Sequence, residues 1–152
     1  MGKKVSFGEA VTIDRKDGAQ GLTVLRVDKG NTSDLDSLAD SSKYAGKTPY
    51  YVRYRLTKAS TSYNTTSYFA VYAGKKQLSE LIFLPSAGSL GNPNRSSASR
   101  FDKCFGASAA EFDKMSQGQS LEGCTTFLAG SGVGTPDKVQ WKPEKAVIAT
   151  WQ

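Results

Sequence analysis

The residue types that carry chemistry are sparse in this chain, and one of them is missing. None of its 152 positions is a histidine. Histidine is the side chain whose ordinary pKa suits proton transfer near neutral pH, so its absence removes Ser–His and Cys–His nucleophile pairs and most zinc and haem sites. A Ser/Lys pair would need a Ser-x-x-Lys spacing on a helix, and Ser41-Ser42-Lys43 does not have it. Asp34 and Asp36 form an Asp-x-Asp pair, but the further oxygen ligands of a calcium loop are absent, and helix capping accounts for both. Gly130 to Gly134 lacks the Gly-Lys-Ser/Thr ending of a phosphate loop and reads as a hairpin turn. The carboxylates Asp28, Asp34, Asp36, Glu80, Asp102, Glu111 and Asp113 are too scattered to nominate an acid/base pair. The expectation is a protein that is not an enzyme, with no catalytic residue, no metal site and no cofactor.

Two residue groups remain. Cys104 and Cys124 are the only cysteines, and without histidine or a Cys-x-x-Cys they cannot build a four-ligand zinc site. They are either bonded to each other, which favours an oxidising compartment, or a pair of buried free thiols; the disulfide is the better reading. The second group is Tyr51, Arg53 and Arg55, alternate residues of one strand-like run, whose side chains would share one face. Guanidinium forks bind carboxylate or phosphate in pairs, and a tyrosine ring adds a stacking surface. Lys58 and Lys75-Lys76 are candidates to extend this face. The competing, plainer reading is a solvated sheet face whose arginines discourage edge pairing and meet Asp or Glu.

A net charge of +6 and an isoelectric point near 9.3 suit an anionic partner, a cell-envelope polymer or an acidic protein patch. The basic residues are spread from Lys3 to Lys145 without a block or a knuckle spacing, which argues against nucleic acid. The sequence holds no run of eighteen apolar residues, so a membrane link is expected only through an N-terminal anchor removed from the precursor.

The elements that must position these residues are short and β-like. Val5 to Ile13 alternates as one strand, Leu22 to Val27 as a second with Leu22, Val24 and Arg26 on one face, and Thr48 to Lys58 as the clearest third, with Tyr50, Val52, Tyr54 and Leu56 inward. Ser33 to Leu38 reads as one helical turn capped by Ser33. Ser67 to Tyr72, Leu78 to Leu84, Leu121 to Ala129, Val139 to Trp141 and Val147 to Trp151 supply the remaining strands, Ala109 to Phe112 a short strand or turn, and Ser86 to Ser99 a long surface loop. Seven or so short strands at this spacing predict residues 1–152 as a single all-β domain, an antiparallel immunoglobulin-like β-sandwich with one short helical turn. Trp141 and Trp151 would fill its core or cover its open end; exposed, they could serve a sugar.

The ordered series Gly21-Leu22-Thr23-Val24, Ser33-Asp34-Leu35, Thr48-Pro49-Tyr50-Tyr51-Val52-Arg53-Tyr54, Cys104, Gly118, Gly123-Cys124 and Val139-Gln140-Trp141 resembles secreted immunoglobulin-like (telokin-like) domains of actinobacterial surface lipoproteins, a group similar to a small mycobacterial immunoprotective antigen. The resemblance spans residues 5 to 151 and departs at the loop Ser86 to Ser99. It implies the sandwich fold, export to the cell surface or exterior, and a Cys104–Cys124 disulfide, and it carries over no catalytic residue. The reading is a non-catalytic extracytoplasmic binding or structural domain, with a carbohydrate-binding module as the alternative.

Overall fold

The computed structural model describes residues 2–15, 18–38, 41–59, 69–81, 104, 109–143 and 146–152. In chain order the strands are β1 (Lys3–Val5), β2 (Ala10–Arg15), β3 (Gly18–Lys29), β4 (Thr48–Lys58), β5 (Phe69–Ala73), β6 (Lys76–Gln77), β7 (Ser79–Glu80), β8 (Ser120–Ala129), β9 (Lys138–Trp141) and β10 (Ala149–Trp151). Two 3-10 turns, η1 (Thr32–Ser37) and η2 (Ser41–Tyr44), lie between β3 and β4, and a short helix, α1 (Ala109–Lys114), precedes β8. Sheet A runs β1-β10-β9-β5-β6 and sheet B runs β2-β3-β4-β8-β7. Every pairing is antiparallel except β1 with β10, which is parallel. The fold is an all-β sandwich, as the spacing of the apolar runs predicts.

Alternation in the long strands builds the core. Leu22 and Val24 of β3, Tyr50, Val52, Tyr54 and Leu56 of β4, and Phe127 and Ala129 of β8 meet Phe69, Val71, Val139, Trp141, Ala149 and Trp151 of sheet A. Both tryptophans are fully buried, and the Trp151 indole N–H donates to the Glu9 carbonyl at 2.9 Å. The Tyr54 and Phe69 rings, 5.4 Å apart, join the two sheets at the centre. Burying each such side chain contributes roughly 1.5–3 kcal/mol.

One expected element is divided because the chain changes sheets within it, and others differ from the expectation. The run Val5 to Ile13 is not one strand: a turn through Ser6–Glu9, with Gly8 at φ 93° and the Glu9 N–H on the Ser6 carbonyl at 3.1 Å, sends β1 to sheet A and β2 to sheet B. Of the expected strand Leu78 to Leu84, the described residues hold β7 (Ser79–Glu80) in sheet B, which Leu78 separates from β6 in sheet A, and 82–84 lie outside the described residues. The glycine-rich stretch after Ala129 is not a hairpin, since β8 and β9 belong to different sheets. Ala109–Lys114 is helical rather than extended. The loop Ser86 to Ser99 lies outside the described residues.

Lys58, the last inward residue of β4, is buried, and its ammonium donates to the carbonyls of Phe112 at 3.2 Å and Asp113 at 2.9 Å. The Phe112 carbonyl also accepts the Met115 N–H at 3.1 Å at the end of the helix, and the strand lysine adds to that turn and closes α1 onto the core. Lys58 therefore does not extend the outward face of β4, and Lys76 stands on sheet A.

Candidate functional site

The outer face of sheet B divides into two halves. On one half β4 and β8 are covered: Tyr51, Cys124 and Leu128 pack with Leu35 and Leu38 from the η1 excursion, Leu81, and Cys104. Cys104 and Cys124 form a disulfide, their Cα atoms 5.2 Å apart, and both are buried. The pairing that the resemblance implies is therefore present, and the free-thiol reading falls.

Tyr51 belongs to this covered half. The expectation of an open tyrosine beside two arginines is corrected here: Tyr51 is 4% exposed, and its hydroxyl donates to Asp34 Oδ2 at 2.7 Å. Asp34 Oδ2 also accepts the Asn31 N–H at 3.0 Å, so the cap of η1 is Asn31 rather than Ser33, and Asp34 serves the turn rather than a cation. Gly30 sits between the two: a Cβ there would stand 2.7 Å from both Asp34 Oδ2 and the Tyr51 ring. The apolar residues Leu35 and Leu38, three apart, supply the underside that buries the ring.

On the other half the face is open and charged. β4 places Arg53 opposite Cys124 and Arg55 opposite Glu122. A third arginine arrives by an irregularity in register. The β3–β4 pairing shifts between Val24 and Arg26, so that Val24 stays opposite inward Tyr54 while Arg26 lies opposite outward Arg53. Strict alternation would have carried Arg26 into the core after Leu22 and Val24. A bulge at Leu25 relieves that, since burying an unpaired guanidinium costs far more than one lost ladder position.

The two facing guanidiniums repel each other and share one carboxylate: Asp28 Oδ2 lies 3.1 Å from Arg26 Nε and 3.2 Å from Arg53 Nε. Arg55 Nη2 meets Glu122 Oε2 at 3.3 Å. Arg26 and Arg55 are 61% and 42% exposed at the side chain, so their contacts are solvated pairs of small stabilising value. The Arg53 guanidinium is less open and lies 5.5 Å from the Tyr51 ring centre, which orients it from below. Between the arginines is a shallow depression of about 240 Å³ lined by Arg26, Arg53, Glu122, Gly123 and Cys124. Three guanidiniums thus stand over two carboxylates, a net positive, donor-rich patch against the disulfide.

Of the predicted group, the structure keeps Arg53 and Arg55 on the open face and withdraws Tyr51. Sequence reasoning missed Arg26, Asp28 and Glu122. A usable signal for Arg26 was present: an arginine at the next core position of an apolar alternation announces a bulge or a strand end. Glu122 needed the β4–β8 register, which separates it from Arg55 by 67 positions in the chain. Trp141 and Trp151 are both 0% exposed, so neither is available as a platform for a sugar ring.

No protein-family model matches the chain, and no curated protein matches it. Among solved structures, the chain is similar to the 1.5 Å crystal structure of MPT63, a secreted protein from Mycobacterium tuberculosis, with a TM-score of 0.68 and 13% sequence identity over 100% of this chain and 98% of that one. At that identity the likeness concerns the fold.

Proposed function

We propose that this chain is a non-catalytic domain working outside the cytosol, of the immunoglobulin-like type found in surface lipoproteins, which holds an anionic partner on the open half of sheet B. The observation that carries the reading is the convergence of Arg26, Arg53 and Arg55 beside Asp28 and Glu122. A carboxylate- or phosphate-bearing surface can exchange places with the solvated carboxylates and collect several guanidinium donors at once. Export is supported by the Cys104–Cys124 disulfide, a bond that persists in oxidising compartments, and by the likeness in fold to a secreted protein. The chain's charge of +6 would speed encounter with such a partner and make it sensitive to salt.

The test uses poly(glycerol phosphate) and polyglutamate as probes, with binding measured at two ionic strengths. The variant Arg26→Gln/Arg55→Gln removes the two most exposed guanidiniums and should weaken binding and flatten its salt dependence. Its melting temperature should stay within about 2 °C, because exposed ion pairs contribute little. Unchanged affinity for both polymers would overturn the assignment of this face.

A further inference from the structure

The two places where the chain passes between sheets at this end of the sandwich, β6 to β7 through Leu78 and β8 to β9 through Gly130–Val133, stand side by side. They frame a cleft of about 320 Å³ between the sheets. Each crossing is held by its own backbone bonds: the Leu78 N–H donates to the Val71 carbonyl at 2.8 Å, and the Val133 N–H to the Gly130 carbonyl at 3.2 Å. Gly132 takes a positive φ of 83° to complete the second turn. A third wall is the segment just before β4, where the Thr32 hydroxyl pins the Lys47 carbonyl at 2.8 Å. The cleft is therefore framed by tied backbone.

Its chemistry is one-sided. Lys47 and Lys76 both line it, together with the polar Gln77, Ser79 and Ser131, and among the described residues no Asp or Glu does. Neither lysine forms an ion pair among the described residues, whereas Arg26, Arg53 and Arg55 all do. The floor is apolar, from buried Leu78 and Leu128. Both lysines border the one recess, and a ligand carrying two negative charges on one group would draw both ammonium groups to it while accepting hydrogen bonds from hydroxyl and amide neighbours. The volume is at the small end of the range for small-molecule sites.

We propose that this cleft binds a small organic phosphate monoester, its dianionic head between Lys47 and Lys76 and its carbon skeleton over Leu78 and Leu128. The site shares no residue with the arginine face and stands or falls independently of it.

Glycerol 3-phosphate is the probe, with glycerol as the neutral control, titrated into the uniformly 15N-labelled full chain at pH 7.5. Saturable amide shifts are expected at Gln77, Ser79, Gly130 and Ser131, and none with glycerol. In Lys47→Gln/Lys76→Gln the affinity should fall by about tenfold or more, as two charge-assisted contacts are lost. Affinity in the unaltered chain should also fall below about pH 6, where the dianionic monoester takes up a proton and becomes a monoanion. The remaining amide spectrum of the variant reports that it folds. Shifts that persist in the variant, shifts confined to the Arg53, Glu122 and Gly123 amides, or no saturable shift at all would each overturn the proposal.

Discussion

Reducing the Cys104–Cys124 bond should remove a large part of this protein's stability, chiefly by freeing the unfolded chain. The bond joins residues 20 positions apart. Closing a loop of about that length restricts the denatured ensemble by about 3 kcal/mol at 25 °C in the chain-entropy treatment. Domains of ordinary stability have about 5–15 kcal/mol in total, so the loss is severe without being fatal in most of that range. The native contacts are a separate contribution. Both sulfurs are buried against Leu35, Leu38, Tyr51, Leu81 and Leu128, and reduction leaves that packing nearly in place, whereas Cys104→Ala/Cys124→Ala also deletes two buried groups, at about 1 kcal/mol each. Urea unfolding of the oxidised, reduced and double-alanine proteins separates the two contributions. The reduced protein should lose about 3 kcal/mol, the variant about 5, and the melting temperature should drop by about 6–12 °C on reduction. Because the effect lies in the unfolded state, the m-value should rise when the bond is opened, as the denatured chain exposes more surface. A loss under about 1 kcal/mol on reduction, with m unchanged, would refute this reasoning.

Gly30→Ala should cost about 1–3 kcal/mol by overpacking, since the new methyl would meet Asp34 Oδ2 and the Tyr51 ring at 2.7 Å; in a Tyr51→Leu background, measured by the same unfolding curves, the part of that cost due to the ring should disappear while the part due to Asp34 stays, and an equal cost in both backgrounds would remove the ring as a cause. Glu80, beside β8 at the sheet edge, has its pKa raised by desolvation, opposed by the Thr125 hydroxyl donating to it at 3.2 Å. An acid whose folded value lies above its unfolded one binds more protons when folded, so its contribution to stability is fully present below the ordinary value of 4.5 and is lost as pH rises through the raised folded value. Glu80→Gln should therefore flatten the decline in stability over that window, read from urea midpoints at successive pH values, and an undiminished decline would assign it to another group.

What could be read along the chain follows from periods of local origin. The alternation of Tyr50, Val52, Tyr54 and Leu56 with Tyr51, Arg53 and Arg55 is a property of one strand, and β4 spans Thr48–Lys58 as that pattern predicts. Where the chain leaves one sheet for the other, the same local reading fails: Val5 to Ile13 looks like one strand because a crossing costs a single turn at Gly8 and leaves the hydrophobic pattern on either side intact. Ala109–Lys114 has too few residues to show a helical period, and its stability comes from Phe112 in the core and Lys58 on its last carbonyls.

The candidate face shows the same division. That Arg53 and Arg55 point away from the core is dictated by strand alternation alone, and the absence of histidine with only two cysteines narrows the chemistry before any fold is known. Which of the outward residues reach solvent is a question of what lies over the sheet. The η1 turn and the disulfide cover Tyr51, a bulge at Leu25 brings Arg26 up beside Arg53, and the β4–β8 register sets Glu122 against Arg55. Composition and alternation thus determined the β-sandwich, the disulfide candidate and the sign of the surface. Tertiary structure alone decided which charges meet and which ring is buried, because those contacts join residues far apart in sequence, and local periodicity holds no information about what packs on its far side.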